Sequence, residues 1–181
     1  RARRRARCVD WPTVCSQGGT EAMSSSVIIR SATIEDARPI SDLLTALAEE
    51  FIVGDFPEEG RLHLLAHLGA VQMGTRLASP EYRFQVAEVG GAIAGVVAMR
   101  GNAHVHYLFV AKPLQRTGLA RRLWEAACEE AIGSGNASAR FTVNASRYAV
   151  PAYERLGFRC VGPVQQSNSV RYQPMEWVSG A

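Results

Sequence analysis

The sequence predicts a mixed α/β fold of the α+β type, with a mostly antiparallel sheet. Residues 104–110 are apolar, aromatic and β-branched, as in a buried strand, and residues 119–132 repeat apolar side chains with the period of a helix. Upstream, residues 82–89 and 92–99 are two strand-like runs joined by Gly90-Gly91, which is the pattern of a β-hairpin. A hairpin that leads into a strand–turn–helix unit indicates strands and helices packed in one domain.

A strand and two helical regions are predicted before this hairpin. Residues 27–30 are typical of a short strand, and Thr33 is then the expected N-cap of a helix whose apolar stripe runs to Phe51. Residues 52–60 contain two glycines and a proline and are predicted to form a loop. Residues 61–78 are only partly periodic, and they are predicted to form a second helical region.

The elements after residues 104–110 complete the predicted sheet. The helix that starts at residue 119 is expected to end with Gly133 in the C′ position. Residues 146–156 are predicted to form a short helix that Gly157 ends, and the polar residues 162–169 a loop. Further strands are predicted at residues 139–143, 158–161 and 170–177.

The composition is that of a globular domain without a membrane-spanning segment. The 181 residues are 47% hydrophobic and 20% charged, which allows one domain with a full core. No apolar run approaches the roughly 18–20 residues that cross a bilayer. The formal charge of +3 comes from residues 1–22, which contain five Arg and two acidic residues, Asp10 and Glu21. Of the totals of 20 basic and 17 acidic residues, the rest of the chain therefore holds 15 of each. We therefore expect no membrane or nucleic-acid partner and leave a homodimer open.

Residues 1–22 do not resemble a domain segment, because they are rich in Arg, lack periodicity and contain no apolar signal-peptide core. Met23 is typical of a natural start, since a strand follows within a few residues. We therefore interpret residues 1–22 as a tag or upstream-translated segment without order, and residues 23–181 as a single domain. The alternative is a basic arm that contacts nucleic acid or a partner.

The cysteines and histidines show no metal-ligand spacing. Cys128 lies on the apolar face of the helix after residue 119, where a buried thiol is expected. His63 and His67 are four residues apart, but no Glu follows His63 and no third ligand is evident. We expect no metal, reduced thiols and a cytoplasmic setting. No C-x-x-C pair occurs among the four Cys residues, which are Cys8, Cys15, Cys128 and Cys160.

The turn between the central strand and its helix has the features of an anion-binding site. A strand that leads into a helix N-terminus directs several backbone N–H groups at one point, and the helix dipole favours an anion there. Gly118 allows a ligand to approach the main chain, and Ala120 keeps the surface low. The alternative is an ordinary strand–turn–helix connection with an incidental glycine. We predict a pyrophosphate-binding turn formed by Gln115, Arg116, Thr117, Gly118, Leu119 and Ala120.

The Gln-x-x-Gly-x-Ala spacing of this turn, directly after a strand that ends in Leu-Phe-Val, resembles the acetyl-CoA-binding motif of the GCN5-related N-acetyltransferase (GNAT) superfamily. The opening I-R-x-A-T-x-E-D-A and the segment 144–158, N-A-S-R-Y-A-V-P-A-Y-E-R-L-G-F, are also similar to that superfamily. The resemblance covers residues 27 to about 177. It implies the GNAT fold: a mixed, mostly antiparallel sheet of about six to seven strands, about four helices, and a splay between the two central strands.

The resemblance also implies an activity. It predicts transfer of the acetyl group of acetyl-CoA to a primary amine, with acetyl-CoA as cosubstrate and a small-molecule or protein amine as acceptor. We expect direct attack in a ternary complex, since no Cys is placed to act as an acyl-enzyme nucleophile. The alternative is a non-catalytic acyl-CoA-binding regulatory module on the same fold.

Two residues of segment 144–158 match positions to which the resemblance gives a role. Asn144 is expected to contact the pantetheine arm, and Tyr153 to protonate the departing thiolate as general acid. Tyr153 could instead be a packing residue, and Tyr148 is a weaker candidate for the acid.

The implied splay predicts further contacts to the cosubstrate. Main-chain groups at the end of the central strand would become free for the pantetheine amides and the thioester oxygen. Arg116 and Arg121 could add positive charge at the phosphates, Arg122 less so. The residues of the central strand assigned to this contact are Leu108, Phe109 and Val110.

A base is also needed, because an ammonium has no lone pair until it loses a proton. The central strand has no Glu but carries His104 and His106, which are two apart and are expected to face one side, with Leu108 and Val110 further along. The arrangement resembles the central strand of the serotonin N-acetyltransferases, where a pair of histidines is thought to take the amine proton through water. The alternative is two histidines satisfied by neighbouring polar groups.

The acceptor site is expected among the parts of the chain that match no motif. These are the first two helices and the loops 52–60 and 162–169. Phe51 and Phe56 with acidic neighbours could recognise a cationic amine, or could be surface. The acidic neighbours are Asp55, Glu58 and Glu59.

Overall fold

The computed structural model describes residues 26–136 and 139–178, apart from the side chain of Asp55. The interpretation of residues 1–22, of Met23 and of Cys8 and Cys15 therefore lies outside the described residues. Within them, no helix is both long and apolar enough to cross a membrane.

Eight strands form the centre of the fold, in the order β1-β2-β3-β4-β5-β8-β6, and β7 pairs with β8. All described pairs are antiparallel except β4 with β5. The predicted mixed, mostly antiparallel sheet is therefore confirmed. The strands are β1 Ile28–Ser31, β2 Tyr82–Val89, β3 Ala92–Arg100, β4 His104–Val110, β5 Arg140–Ala145, β6 Arg159–Cys160, β7 Gln165–Ser167 and β8 Val170–Val178.

Helices cover both faces of this sheet. On one face the apolar stripe of α1, with residues from α2 and α3, packs on alternate residues of β2, β3 and β4. On the other face α4 and α5 pack on the intervening residues, and Cys128 is buried there as predicted. The helices are α1 Ala37–Phe51, α2 Glu58–Leu68, α3 Ala70–Leu77, α4 Leu119–Gly133 and α5 Val150–Arg155.

The two central strands separate soon after they meet. β4 pairs with β5 at two positions, His104 with Thr142 and Val105 with Val143. No pairing continues from His106 to Val110, so a gap opens toward the end of β4. The predicted splay is therefore present.

A β-bulge interrupts the alternation of β4. Tyr107 pairs with Ala98 and Val105 with Met99, which leaves His106 as the extra residue. Beyond this bulge, Leu108 and Val110 pack in the cluster under α4. The ring of His106 instead contacts Tyr107, whose side chain lies in the cluster under α1. The expectation that Leu108 and Val110 share a face with the histidines was therefore wrong.

Several element boundaries also differ from the sequence predictions. The predicted helix 61–78 is two helices that meet at Gly69, which has extended ψ and caps α3. Each buries a different residue, Leu68 or Met73, which explains why the periodicity was only partial. The predicted loop 162–169 contains β7. Gly133 is still helical, and the left-handed residue after α4 is Gly135.

Candidate active site

A cavity of about 780 Å³ opens where β4 and β5 diverge. Its walls come from the end of β4, the β4–α4 turn, the end of β5, α5, α1, α2 and the start of β8. Three predicted site residues, His104, Thr117 and Leu119, do not line it. The predicted site residues that line it are His106, Leu108, Phe109, Val110, Gln115, Arg116, Gly118, Ala120, Arg121, Asn144 and Tyr153.

The β4–α4 turn presents main-chain N–H groups to this cavity. Arg116 and Gly118 both have positive φ, +65° and +90°, and α4 starts directly afterwards at Leu119. The N–H of Arg122 donates to the carbonyl of Gly118 at 3.2 Å, and the N–H groups of Leu119 and Ala120, in the first turn, have no acceptor within the helix. A Cβ on Gly118 would meet no heavy atom within 4 Å, so the approach to the turn is open. The turn therefore has the geometry of an anion site.

Three of the predicted residues shape this turn through their side chains. The Gln115 amide donates to the carbonyl of Val110 at 3.1 Å, and the Thr117 hydroxyl donates to the carbonyl of Leu114 at 2.7 Å. The Leu119 side chain is buried in the core under α4. Any ligand contact of Thr117 or Leu119 would therefore be made by the main chain.

Two arginines line the cavity beside the predicted anion-binding turn. Arg121 donates from Nη2 to the carbonyl of Arg155 at 3.2 Å, which ties the start of α4 to the end of α5. Arg116 is exposed and also lines the cavity. Arg122, by contrast, donates to the carbonyl of Val27 and is not part of the lining.

The register of β3 and β4 decides which main-chain groups face the gap. The N–H of Ala111 donates to the carbonyl of Ala94 at 2.8 Å. Because every second residue of an antiparallel strand bonds the same neighbour, Phe109 also directs its main-chain groups at β3. Leu108 and Val110 direct theirs at the gap, where the Val110 carbonyl already accepts from Gln115. The groups expected to be free at Phe109 are thus found at Leu108 instead, and Phe109 lines the cavity with its side chain.

Tyr153 is held at the cavity wall by the short helix α5. It is 6% exposed, and its ring packs edge-on against Phe158 with the ring centres 5.2 Å apart. Gly157, at φ +96°, ends α5, and a Cβ there would lie 2.9 Å from Nε1 of Trp177. Burial raises the pKa of the Tyr153 phenol well above its usual value, so it stays protonated.

The bulge places the two histidines of β4 in different surroundings. The His106 ring lines the cavity and lies 5.1 Å from the ring of Tyr82. Burial, with smaller contributions from the charges of Arg76, His104 and Arg100, lowers the pKa of His106 to about 4, so its imidazole is neutral near pH 7.

His104 lies at the closed end of the β4–β5 pair. Its Nδ1 is 2.9 Å from the hydroxyl of Thr142, and burial, followed by the charge of Arg100, lowers its pKa. It does not reach the cavity lining, so the structure places His106 alone, and not the pair, at the cavity wall.

Another part of the cavity wall is aromatic, and it includes Phe51, whose ring centre lies 5.7 Å from Nζ of Lys112 at the start of the turn. Phe51 and Tyr148 stack with ring centres 4.7 Å apart and planes 14° apart. A second cavity of about 440 Å³ adjoins this stack. The sequence did not indicate the residues of β8 that line this second cavity, Arg171 and Tyr172, because they belong to no motif. Only the tertiary fold brings them into the same cavity wall as Phe51.

The acidic residues and the histidine pair suggested for other roles lie elsewhere. Glu58 and Glu59 do not line either cavity, and a Glu59 oxygen accepts from the hydroxyl of Ser169. His63 bonds Asn168 at 3.2 Å, and His67 donates from Nδ1 to the carbonyl of His63. Among the described residues, no three His, Cys, Asp or Glu side chains are grouped as metal ligands.

Comparison with known proteins identifies the family of this fold. The sequence model of the acetyltransferase (GNAT) domain matches residues 52–179. The chain belongs to the GNAT acetyltransferase family. A search of curated proteins gave no match.

Solved structures of GNAT proteins share this fold at low sequence identity. A GCN5-related N-acetyltransferase from Rhodopseudomonas palustris is 21% identical with a TM-score of 0.70, over 88% of this chain and 99% of that chain. The PaiA N-acetyltransferase of Thermoplasma acidophilum, in complex with coenzyme A, is 14% identical with a TM-score of 0.71, over 84% and 99%. An aminoglycoside 6′-N-acetyltransferase complexed with coenzyme A is 15% identical with a TM-score of 0.62, over 83% and 96%.

GNAT membership confirms the predicted superfamily and supports acyl transfer as the general activity. The similarity to serotonin N-acetyltransferases is tested by none of these comparisons and stays a prediction.

Proposed function

We propose that this GNAT protein transfers the acetyl group of acetyl-CoA to a primary amine by direct attack in a ternary complex. The observation that carries the proposal is the single cavity at the splay. An anion-binding turn, a gap between strands and two groups suited to proton transfer all line it. That combination is what acyl transfer from a long, phosphate-bearing thioester requires.

The residues present fit acetyl-CoA. Main-chain N–H groups of the β4–α4 turn, with Arg116 and Arg121, would hold the pyrophosphate. Main-chain groups of Leu108 and Val110 and the side chain of Asn144 would hold the pantetheine arm, since all of them line the gap. Acetyl-CoA supplies an acyl group already activated as a thioester. The coenzyme A in two structural neighbours supports this choice.

Proton transfer is assigned to two groups that line this cavity. In the reaction the C–N bond forms and the C–S bond breaks, one amine proton passes to a base, and CoA leaves as a thiolate that takes its proton from water. His106, neutral at pH 7, would accept the amine proton directly or through water. Tyr153 would donate a hydrogen bond to the departing sulfur. Its raised pKa favours stabilisation of the thiolate by that bond over complete proton transfer.

His104 receives the lesser role in this proposal. It is outside the cavity lining and bonded to Thr142, so it would act only through water or through His106. Of the predicted histidine pair, His106 alone is then the proposed base, and His104 is a neighbour that influences the pKa of His106.

Two measurements on the purified chain test the proposal. Isothermal titration should detect acetyl-CoA binding, and free CoA should appear when a primary amine acceptor is added. No binding would overturn the proposal. Binding without CoA release over a broad amine panel would instead favour the non-catalytic acyl-CoA-binding module.

A further inference from the structure

We propose that the acceptor is a primary alkyl amine that carries both an aromatic ring and a carboxylate, with its ring among the aromatic side chains of the smaller cavity and its carboxylate on Arg171 and Arg147. This inference rests on the proposed acetyl transfer and adds the chemical class of the acceptor. It differs from the sequence expectation, in which acidic side chains recognise a cationic amine.

The shape of the smaller cavity favours a flat ring. Its volume of about 440 Å³ is within the range of small-molecule sites. The stacked pair of Phe51 and Tyr148 forms part of its wall, joined by Phe56 and Tyr172. Aromatic side chains bind another ring by offset or edge contacts as well as by burial.

The smaller cavity is continuous with the reactive one. Phe51, Phe56, Tyr148, Arg171 and Tyr172 line both cavities. A ligand seated against these residues is therefore next to the cavity that contains His106 and Tyr153. The amine of such a ligand can face the cosubstrate while its ring remains among the aromatic side chains.

The charge of the lining favours an acceptor with an anionic group. Among the lining residues whose side chains the structure describes, none is Asp or Glu in either cavity. Glu50, on the helix that carries Phe51, is paired with Lys112. Polycationic acceptors such as polyamines or aminoglycosides would therefore meet arginines without carboxylates to offset them.

The arginines fall into two groups with different positions. Arg116, Arg121 and Arg155 lie around the start of α4, where the phosphates of the cosubstrate are expected. Arg147 and Arg171 line the smaller cavity with the aromatic rings. Guanidinium groups bind carboxylates through two parallel hydrogen bonds, so this second group is the natural partner of an acceptor carboxylate.

Matched pairs of amines test the inference. The pairs are L-phenylalanine with phenethylamine, L-tyrosine with tyramine, and 4-(aminomethyl)benzoate with benzylamine. Release of CoA is followed, and kcat/KM is divided by the unprotonated fraction of each amine. We expect at least one acid to exceed its partner by about tenfold or more.

Variants locate the effect. Arg171→Gln and Arg147→Gln should each lower kcat/KM for the preferred acid by about tenfold and should not lower it for the matched amine, so the preference for the acid falls while acetyl-CoA affinity stays near the wild-type value. Arg159→Gln, an exposed arginine on β6 that lines neither cavity, should leave all values unchanged. Retained acetyl-CoA binding shows that each variant is folded.

The outcomes separate this inference from the proposed function. If amines release CoA but no acid exceeds its partner, or if the arginine variants do not reduce the preference, the inference is overturned and acetyl transfer stands. If acetyl-CoA binds and no amine of either kind releases CoA, the proposed function fails with it.

Discussion

At the scale of single residues, the proposed chemistry rests on two side chains whose protonation is set by burial. Tyr153 remains a phenol and His106 remains a neutral imidazole near pH 7, since the desolvated charged forms are disfavoured. Tyr153 can therefore donate a hydrogen bond, and His106 can accept a proton, at the same pH. His104, the other histidine of the predicted pair, does not line the cavity.

Replacing Tyr153 by Phe tests the acid. The hydroxyl is lost while the ring contact with Phe158 is kept, so turnover should fall by about 10²–10⁴-fold with little change in acetyl-CoA affinity. Stopped-flow or steady-state release of CoA measures the turnover, and titration measures the affinity. If Tyr148→Phe shows the large loss instead, the acid is Tyr148.

The lowered pKa of His106 also predicts a pH-dependent stability. The unfolded chain has an ordinary His pKa of 6.5 and the folded chain about 4, so the unfolded state binds more protons as pH falls between these values. The folded state should lose on the order of 2 kcal/mol from this group between pH 7 and pH 5. Urea unfolding at both pH values should show a smaller loss for His106→Gln. Equal losses in the two proteins would contradict the burial of His106.

At the scale of elements, the β4–α4 turn and the start of β8, which follows the β7–β8 hairpin, contribute different residues to the cavity wall. The turn depends on the left-handed Gly118, which leaves open space for a ligand. The hairpin turns at Asn168 and Ser169, both with positive φ, and rests on α2 near Gly60. Changes in the turn should affect acetyl-CoA, and changes in the hairpin should affect the acceptor.

Gly118→Ala is expected to weaken acetyl-CoA binding by about tenfold or more. A φ of +90° strains any residue with a Cβ, and the added methyl group enters the space over the anion-binding N–H groups. Gly133→Ala, on the same helix α4 and with no heavy atom within 4 Å of the new Cβ, is the matched control. Unchanged affinity in Gly118→Ala would show that the phosphates bind elsewhere.

Gly60→Ala is expected to raise the acceptor KM while acetyl-CoA affinity stays the same. The new Cβ would lie 2.5 Å from the carbonyl oxygen of Ser169, so the hairpin must move, and it leads into Arg171 and Tyr172 at the cavity wall. Gly54→Ala meets no heavy atom within 4 Å and serves as the control. An acceptor KM equal to that of the control would show that the hairpin does not form the acceptor site.

At the scale of the whole molecule, the sequence alone could indicate the proposed cosubstrate half of the site but not the proposed acceptor half. The turn from Gln115 to Ala120 is contiguous in sequence, so its local chemistry indicated an anion site before any tertiary contact was known. The bulge at His106 arises from the register of β4 on β3, which no local pattern specifies. Arg171 and Phe51 meet only because β8 and α1 converge on the gap.

The arrangement of the layers would allow one cavity to serve both proposed substrates. The sheet separates the core under α1 from the core under α4, and the β4–β5 gap connects the two faces. A long cosubstrate can enter from the α4 side and an amine from the α1 side, and they meet within the gap. The proposed direct attack would have both substrates bound at once.

The most direct test of the account is an initial-rate study of CoA release in which acetyl-CoA and the best acceptor are both varied. Direct transfer in a ternary complex predicts reciprocal plots that intersect, with the acetylated amine appearing in step with free CoA and no acetylated protein detected by mass spectrometry. Parallel plots with an acetylated protein intermediate, or no acetylated amine at all, would contradict it.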